Sequence, residues 1–553
     1  MAAGSIALAS AYPVYFRTDD VEYLSWAATH DDPLDAFRPS EGELFGVVRP
    51  VHTIAWWSLY RVFGLEARGY QVFLSLAYGL SFLFFFLFVR RAVSFAAAAL
   101  TLLSYAALFT AFMHIVFWFS DLTFALELLF TGLSLYLLAL GVEGRRGLVA
   151  CSVVAYVLAG LSKEPAIVVV PAVAALYVWV TTRRKALRRG ALAFVVVGVA
   201  WALASPYLWG RQGLPLDQGA GAVFDYLAAG WRYYAGVLMT GSSAAVLPAA
   251  VFAATRLSMP CRTARTREPR KGPLSDVARP AFILLLPAAL AAVSLAVARS
   301  GPTAGLAILS VALLFIVVRG GRAAPLAMWG LLPLVAVMTA VPRFAAYLTE
   351  ASVGLAAVSG VAASRFLRDL GRLVRSLPRA AGLTVVVAIA VVAVGACVRA
   401  APALRSAESA ARAVSRARGD FAAAIGYIAS REGDGPGVLL VVDYTDLGIE
   451  RGDIEAMAPS LRATRQKTMA RHEVASFLLV MGAGDLKVRN LEWYMSSADR
   501  EPALALAMNR LEREHLETLP LSLELVFAAS DRSESAWVYR VCHAGDALTC
   551  ADL

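Results

Sequence analysis

The chain has 553 residues, of which 59% are hydrophobic and only 17% are charged. This composition excludes an ordinary water-soluble globular protein, because so apolar a chain needs lipid as part of its solvent. The net charge is +10, but the basic residues lie in short clusters between apolar segments and do not form one basic, aromatic-rich surface. We therefore expect no nucleic-acid partner.

The apolar segments predict an all-α polytopic membrane protein with about 11 to 13 transmembrane helices, at roughly 17 to 25 residues per span. Candidate spans are centred near Leu8, Ser81, Ser104, Leu129, Tyr156, Ala172, Val199, Ala249, Leu290, Ile308, Leu334, Ala356 and Ile389. The segment around Leu8 is short and has no basic residue before it. A signal peptide and a displaced start are therefore alternatives to a first span.

Clusters of Arg and Lys fall on every second predicted loop, and the positive-inside rule assigns those loops to the cytoplasm. The intervening loops then face outward, among them the loop at residues 17–68 and the segment 209–234. We predict a polytopic transmembrane domain at residues 1–398, in the cytoplasmic (inner) membrane of the cell envelope. An odd number of spans places the rest of the chain outside the cytoplasm.

The composition changes after the last apolar segment, so residues 399–553 are predicted to form a soluble, extracytoplasmic domain of α/β or α+β type. Three strands are predicted, with a hairpin between the last two. They are Val438–Asp443, Leu523–Ala529 and Ala536–Val541.

The cysteines and histidines give no sign of a metal site, since the five cysteines and six histidines contain no CxxC or HExxH pattern. A structural zinc site therefore has no support in the sequence. Cys542 and Cys550 lie close together near the C-terminus. In an oxidising compartment, a short-loop disulfide and two free thiols are equally compatible with that spacing.

The first external loop opens with two adjacent carboxylates, Asp19 and Asp20, directly after an apolar segment. Desolvation and neighbouring cations can change the pKa of a carboxylate at a membrane surface. Such a group is able to deprotonate an acceptor hydroxyl. The alternative is structural: Asp19 caps a juxtamembrane helix and Asp20 is solvated.

Further along this loop, Arg49 and His52 lead into an aromatic, amphipathic stretch at residues 53–65. The stretch is too short and too interrupted for a span, and its pattern predicts a helix in the membrane interface. A helix there is able to wall a cavity that is open to both lipid and water.

Ionisable residues also lie at or near the predicted outer ends of later spans. Asp121 and the deeper Glu127 are functional candidates because ionisable groups are costly inside a membrane. The pair Lys163-Glu164 interrupts two apolar segments, and a polar turn that joins two helices is its alternative interpretation. Arg343 lies at a predicted outer helix end, where a guanidinium suits a phosphate.

The order of these motifs resembles the polyprenyl-phosphate-sugar-dependent glycosyltransferases of the C-type membrane fold (GT-C). This family includes protein O-mannosyltransferase-like enzymes and the lipid A aminoarabinose transferases. The resemblance covers roughly residues 10–400. It rests on the Asp19-Asp20 pair, the Arg49-Pro50 run into the aromatic helix, the Ser162-Lys163-Glu164 turn, and Arg343 with Tyr347.

The resemblance implies transfer of a hexosyl or pentosyl group from a polyprenyl-phosphate-linked donor to a protein, lipid or glycan acceptor at the outer face of the cytoplasmic membrane. Asp19 or Asp20 would be the catalytic base or the carboxylate that orients the acceptor. The donor phosphate would be bound by Lys163, Arg343 and Arg49. Supporting roles would fall to Glu164, which would orient Lys163, and to His52, Asp121 and Tyr347.

No cofactor is required by this scheme. Some relatives with this fold use a divalent cation at the first-loop carboxylate, so metal dependence at Asp19 and Asp20 stays open. The alternatives to a glycosyltransferase are a secondary transporter, a lipid-glycan ligase or polymerase, and a binding domain on a membrane anchor. A transporter would place its polar residues at mid-membrane and would show an internal repeat. The polar candidates here gather at one predicted face of the membrane.

Overall fold

The computed structural model of the protein is mostly helical, with one small sheet in its C-terminal part. The residues that the structure describes are 16, 19–38, 43–44, 47–108, 119–145, 147–182, 194–196, 198–199, 220–239, 246–258, 290, 301–337, 348–376, 423–430, 438–441, 487–490, 503–507, 513, 516, 522–528 and 536–542.

The chain divides into two compact units. The helical unit comprises residue 1, residues 76–114 and residues 122–404, and the mixed unit comprises residues 2–75, 115–121 and 405–553. This division does not test the predicted boundary between transmembrane and soluble parts at residues 398 and 399, which stays a prediction.

The helices are numbered here along the described residues. They are α1 (Asp19–Thr29), α2 (Pro50–Phe63), α3 (Ala67–Ala92), α4 (Phe95–Leu108), α5 (Leu122–Val142), α6 (Gly147–Ser162), α7 (Ala166–Thr181), α8 (Ala220–Met239), α9 (Val246–Ser258), α10 (Pro302–Arg319), α11 (Ala324–Val337) and α12 (Thr349–Ser376). Single 3-10 turns lie at Pro33–Phe37, Phe119–Asp121 and Gly321–Ala323.

Among the described residues, three helices are long and apolar enough to cross a membrane by length and composition: Ala67–Ala92, Phe119–Val142 and Pro302–Arg319. Shorter apolar helices lie at Phe95–Tyr105, Gly147–Ser162, Ala166–Thr181 and Val246–Arg256. These helices agree with a multi-pass membrane protein, and the total of 11 to 13 spans stays a prediction.

Most predicted span centres fall inside observed helices. These are the centres near Ser81, Ser104, Leu129, Tyr156, Ala172, Ala249, Ile308, Leu334 and Ala356. The centres near Val199 and Leu290 fall on helical pieces of which only a few residues are described. The centres near Leu8 and Ile389 lie outside the described residues.

Helices α5 and α6 form an antiparallel hairpin that is joined by reciprocal serine hydrogen bonds. The Ser134 hydroxyl donates to the Ser152 carbonyl at 2.8 Å, and the Ser152 hydroxyl donates to the Ser134 carbonyl at 2.8 Å. Small polar residues let apolar helices approach closely and provide bonds that lipid cannot offer. The hairpin therefore has a specific contact in addition to its apolar packing.

Helix α12 crosses two neighbours of the helical unit at glycines. A Cβ added at Gly354 would lie 2.1 Å from the backbone nitrogen of Gly330 in α11. A Cβ added at Gly360 would lie 2.3 Å from the Thr101 hydroxyl in α4. Only glycine allows backbones to come this close. The two crossings fix the position of α12 in the helical unit.

An ion pair joins α9 to the C-terminal half of α12. The Arg256 Nε lies 2.7 Å from Asp369 Oδ2, and both side chains are largely buried. Both residues lie in or next to basic clusters that are predicted to face the cytoplasm.

Helix α8 occupies much of the segment predicted as an external loop at residues 209–234. That segment contains a helix and is not an irregular loop.

The C-terminal part contains a five-stranded sheet in the order β4-β3-β5-β7-β6. Its strands are β3 (Val438–Val441), β4 (Lys487–Asn490), β5 (Ala503–Ala507), β6 (Ser522–Ala528) and β7 (Trp537–Cys542). Strands β1 (Glu43–Leu44) and β2 (Val47–Val48) pair separately, between α1 and α2. Strand β3 runs parallel to β4 and β5, and β7 runs antiparallel to β5 and β6. The predicted β6–β7 hairpin is present, whereas β4 and β5 were not predicted.

Candidate active site

The acidic pair lies at the start of α1. Asp19 is the first residue of this helix, and its side chain lies outside the described part of the chain. Asp20 is fully buried, at 0% exposure. The alternative in which Asp20 is solvated is therefore wrong.

The Asp20 carboxylate is held by Ser120, which is 100 residues further along the chain. The backbone N–H of Ser120 donates to Asp20 Oδ1 at 2.6 Å, and the Ser120 hydroxyl donates to the same oxygen at 2.6 Å. Ser120 lies in the 3-10 turn Phe119–Asp121, which opens the long helix through Val142. A carboxylate at a helix N-terminus satisfies an N–H group and interacts favourably with the helix dipole.

Buried aromatic rings pack against one another in the mixed unit. Phe16 contacts Tyr70 edge-on with ring centroids 4.9 Å apart, and it contacts Phe119 at 5.2 Å. Tyr23 stacks on Trp56 at 5.6 Å. All five rings are buried, and Phe119 directly precedes Ser120, which binds the Asp20 carboxylate.

His52 belongs to the same cluster and is also fully buried. Its Nε2 accepts a hydrogen bond from the Trp56 indole N–H at 2.9 Å. A ring nitrogen that accepts an N–H carries no proton, so this imidazole is neutral with its proton on Nδ1. His52 also packs edge-on against Tyr23, with centroids 4.4 Å apart. His52 therefore contacts the Trp56 and Tyr23 side chains and adds no positive charge.

Helix α2 confirms the helix predicted for the aromatic stretch, and two of its side chains anchor it to the chain after α1. The Trp57 indole N–H donates to the His30 carbonyl at 2.9 Å. The Arg61 guanidinium donates to the same carbonyl at 3.1 Å and to the Asp31 carboxylate at 2.8 Å. Arg49 immediately precedes α2 and is partly buried. The mixed unit thus holds Arg49 and His52 in or beside the first turn of one anchored helix.

In the helical unit, Lys163 lies in the turn between α6 and α7 and is 5% exposed. Its ammonium Nζ lies 3.8 Å from the centroid of the Phe124 ring, within the range of a cation–π interaction. The Thr123 hydroxyl donates to the Ser162 carbonyl at 2.9 Å. These contacts hold the Lys163 turn against the first turn of α5. Ser162 and Lys163 are buried, whereas Glu164 and Pro165 are partly exposed.

The structure describes three of the remaining candidates, Asp121, Glu127 and Glu164. Asp121 and Glu127 are both buried. Glu164 accepts a hydrogen bond from the Ile167 N–H through its backbone carbonyl, at 3.0 Å. Arg343 and Tyr347 lie outside the described residues.

The predicted site residues are divided between the two units. Asp20, Arg49, His52 and Asp121 belong to the mixed unit, and Lys163 belongs, with its neighbour Glu164, to the helical unit.

The described side chains do not form a metal site. Within the ranges given above, no group of three or more His, Cys, Asp or Glu side chains is placed to hold a metal ion. The Oδ1 atom of Asp20 is already engaged by two donors from Ser120. The Asp19 side chain lies outside the described residues, so the divalent cation considered for Asp19 and Asp20 is not tested by these contacts.

Ser120 is the functional candidate that sequence reasoning missed. Its only local signal is a Ser-Asp pair before an apolar run, which is typical of a helix start. Nothing in the periodicity of the chain links it to Asp20.

The fold and these groups define a mostly helical protein with membrane-type helices and buried ionisable side chains at helix ends. No family model and no curated protein matches the chain. Among solved structures, ArnT from Cupriavidus metallidurans bound to undecaprenyl phosphate is 15% identical, covers 97% of this chain and 96% of its own, and has a TM-score of 0.41. Its apo state is 15% identical, covers 95% and 94%, and has a TM-score of 0.40.

At this identity and a TM-score below 0.5, the likeness carries no functional argument. The proposal below therefore rests on the residues of the chain.

Proposed function

We propose that the chain is a membrane glycosyltransferase that takes its sugar from a polyprenyl-phosphate-linked donor. The observation that carries the proposal is the Asp20 carboxylate, which is fully buried and fixed by two hydrogen bonds. A preorganised carboxylate that is shielded from water suits general-base catalysis.

The reaction follows from that carboxylate. An acceptor hydroxyl gives its proton to the carboxylate of Asp20 or of its neighbour Asp19 while the hydroxyl oxygen forms a bond to the anomeric carbon of the donor. The bond from that carbon to the phosphate oxygen breaks, and its electron pair stays with the lipid phosphate. Inversion at the anomeric carbon is expected because one displacement occurs.

The growing negative charge of the departing phosphate requires cations. Lys163 is proposed for this role because its ammonium is buried and held in place against Phe124. Arg343 and Arg49 are proposed as further phosphate ligands on the strength of the sequence motifs. Preorganised cations in a low-dielectric site stabilise such a transition state more than mobile, hydrated ones do.

A lipid-linked donor is preferred to a nucleotide sugar on topological grounds. The alternating basic clusters assign the loop with Asp19 and Asp20 to the side away from the cytoplasm. Nucleotide sugars are made in the cytoplasm, and the sequence contains no GxGxxG motif of a nucleotide-binding βαβ unit. The acceptor is proposed to be a protein, lipid or glycan of the cell envelope.

The direct test incubates the purified full-length protein in liposomes with radiolabelled polyprenyl-phosphate sugars and, separately, with nucleotide sugars. Membranes from host cells that lack this protein serve as the source of acceptor. The proposal predicts that label leaves the polyprenyl fraction and enters an acceptor fraction. A parallel nucleotide-sugar reaction uses the detergent-purified protein with a lipid-free acceptor extract, and efficient transfer there would contradict the proposal.

A further inference from the structure

Ser120 makes two hydrogen bonds to the buried Asp20 carboxylate. Both donors of Ser120, the backbone N–H and the hydroxyl, converge on the single oxygen Oδ1, each at 2.6 Å. Asp20 is 0% exposed and Ser120 is 8% exposed. Burial removes water from the carboxylate, so these bonds take the place of its hydration.

Two donors on one oxygen have two physical effects. They fix the orientation of the carboxylate, because the N–H and the hydroxyl approach Oδ1 from one residue of a 3-10 turn. They also favour the ionised form, since hydrogen bonds to a carboxylate counteract the cost of its desolvation. A base must be both oriented and ionised before it accepts a proton.

We infer that Ser120 is a positioning residue that orients the Asp20 carboxylate and keeps it ionised for the transfer reaction. The inference rests on the proposed function, since it assigns Ser120 a role in the chemistry of Asp20. Ser120 acts through Asp20 and is not proposed to contact the substrate.

Other groups near Asp20 set the background of its titration. Helix α1 packs against α2 and against the 3-10 turn that contains Ser120. The titratable or charged side chains of α1, of α2 with the preceding Arg49, and of this turn are Asp19, Glu22, Tyr23, Arg49, His52, Tyr60, Arg61 and Asp121. His52 is held neutral by Trp56. A change of Ser120 alone leaves all of these groups in place.

The test compares Ser120→Ala, Ser120→Cys and Ser120→Thr with the parent, using the pH dependence of kcat/KM for transfer from the lipid-linked donor. Alanine removes the hydroxyl donor and keeps the backbone N–H. The thiol of cysteine is close to serine in size but is a weak donor. Threonine retains the hydroxyl.

Ser120→Ala and Ser120→Cys should lower kcat by about tenfold with KM for the donor little changed, because a donor to a charged group is lost. In both variants, the acid limb of the pH profile of kcat/KM should move to higher pH by about one unit, since a carboxylate with one donor fewer ionises less readily. Ser120→Thr should retain the parent profile. If the Ser120→Ala protein cannot be purified, the Ser120→Cys protein tests the loss of the hydroxyl donor.

The matched control is Ser134→Ala, which also removes a buried serine hydroxyl from a hydrogen bond to another helix. It should lower the melting temperature without moving the pH profile. An unchanged profile and kcat in Ser120→Ala or Ser120→Cys, with an active parent, would overturn the role of Ser120 alone. An inactive parent with every lipid-linked donor would instead contradict the proposed function.

Discussion

Lys163 shows how a residue that looks ordinary in sequence gains meaning from its surroundings. A Lys-Glu turn between two helices is commonly solvated, but here the ammonium is buried and lies against the ring of Phe124. A buried ammonium is costly unless charge or dipoles compensate it. An ammonium held in a fixed position at the end of apolar helices suits an anionic ligand.

If Lys163 neutralises the departing phosphate, Lys163→Met should lower kcat/KM for the lipid-linked donor by at least about tenfold, since methionine keeps the length and removes the charge. Lys163→Arg should retain more activity, because it keeps the cation. Phe124→Leu tests the ring contact separately and should cost less, about threefold to tenfold. Equal activity of the methionine variant and the parent would remove Lys163 from the site.

The candidate residues were predictable from sequence to different degrees. Asp19, Asp20 and Lys163 stand out because charge is rare beside apolar segments. Ser120 does not, because its importance arises from a contact across 100 residues of chain. The neutral state of His52 also depends on a contact, since the Trp56 indole must lie one helical turn away with its N–H on Nε2.

At the level of elements, the helical unit relies on close crossings at glycine as well as on apolar packing. Gly354 is the tightest of these positions, with the Gly330 backbone in the space that a Cβ would take. Gly371 lies on the same helix, and a Cβ there would meet nothing within 4 Å. The pair offers a controlled test of this packing.

Gly354→Ala should destabilise the protein by about 1 to 3 kcal/mol, the usual cost of overpacking, or more if the backbones cannot separate. Gly371→Ala should be neutral or stabilising by up to about 1 kcal/mol, because alanine favours helix more than glycine does. Thermal unfolding in detergent, followed by the loss of the monodisperse peak, measures both. A Gly354→Ala protein as stable as Gly371→Ala would show that the crossing is looser than described.

The elements were predictable where one local signal dominates. Apolar length located most membrane-type helices, and alternation located the β6–β7 hairpin. Strand β5 was missed because its sequence is Ala-Leu-Ala-Leu-Ala, and alanine is depleted in strands. It forms between β3 and β7, so long-range pairing outweighs its local preference. Helix α8 was missed because it is less apolar than a typical span.

At the level of the whole molecule, the assignment of sides rests on the alternation of basic clusters. It places the C-terminal domain outside the cytoplasm and the cluster around Cys261 inside it. An impermeant thiol reagent on intact, reduced cells should label single-cysteine variants that retain Cys542 or Cys550. It should spare the variant that retains Cys261. The opposite pattern would invert the topology and would place the acidic pair on the cytoplasmic side.

The central claim is that a carboxylate of the first external loop is the base of a sugar transfer. Asp→Asn keeps the size of the side chain and removes its charge, and in Asp20→Asn the amide oxygen is still able to accept both Ser120 donors. The decisive measurement is therefore kcat for transfer from the lipid-linked donor in Asp19→Asn and Asp20→Asn proteins that purify like the parent. At least one variant should lose about a hundredfold or more. Full activity in both would contradict an enzyme with its base in this loop and would favour a transporter.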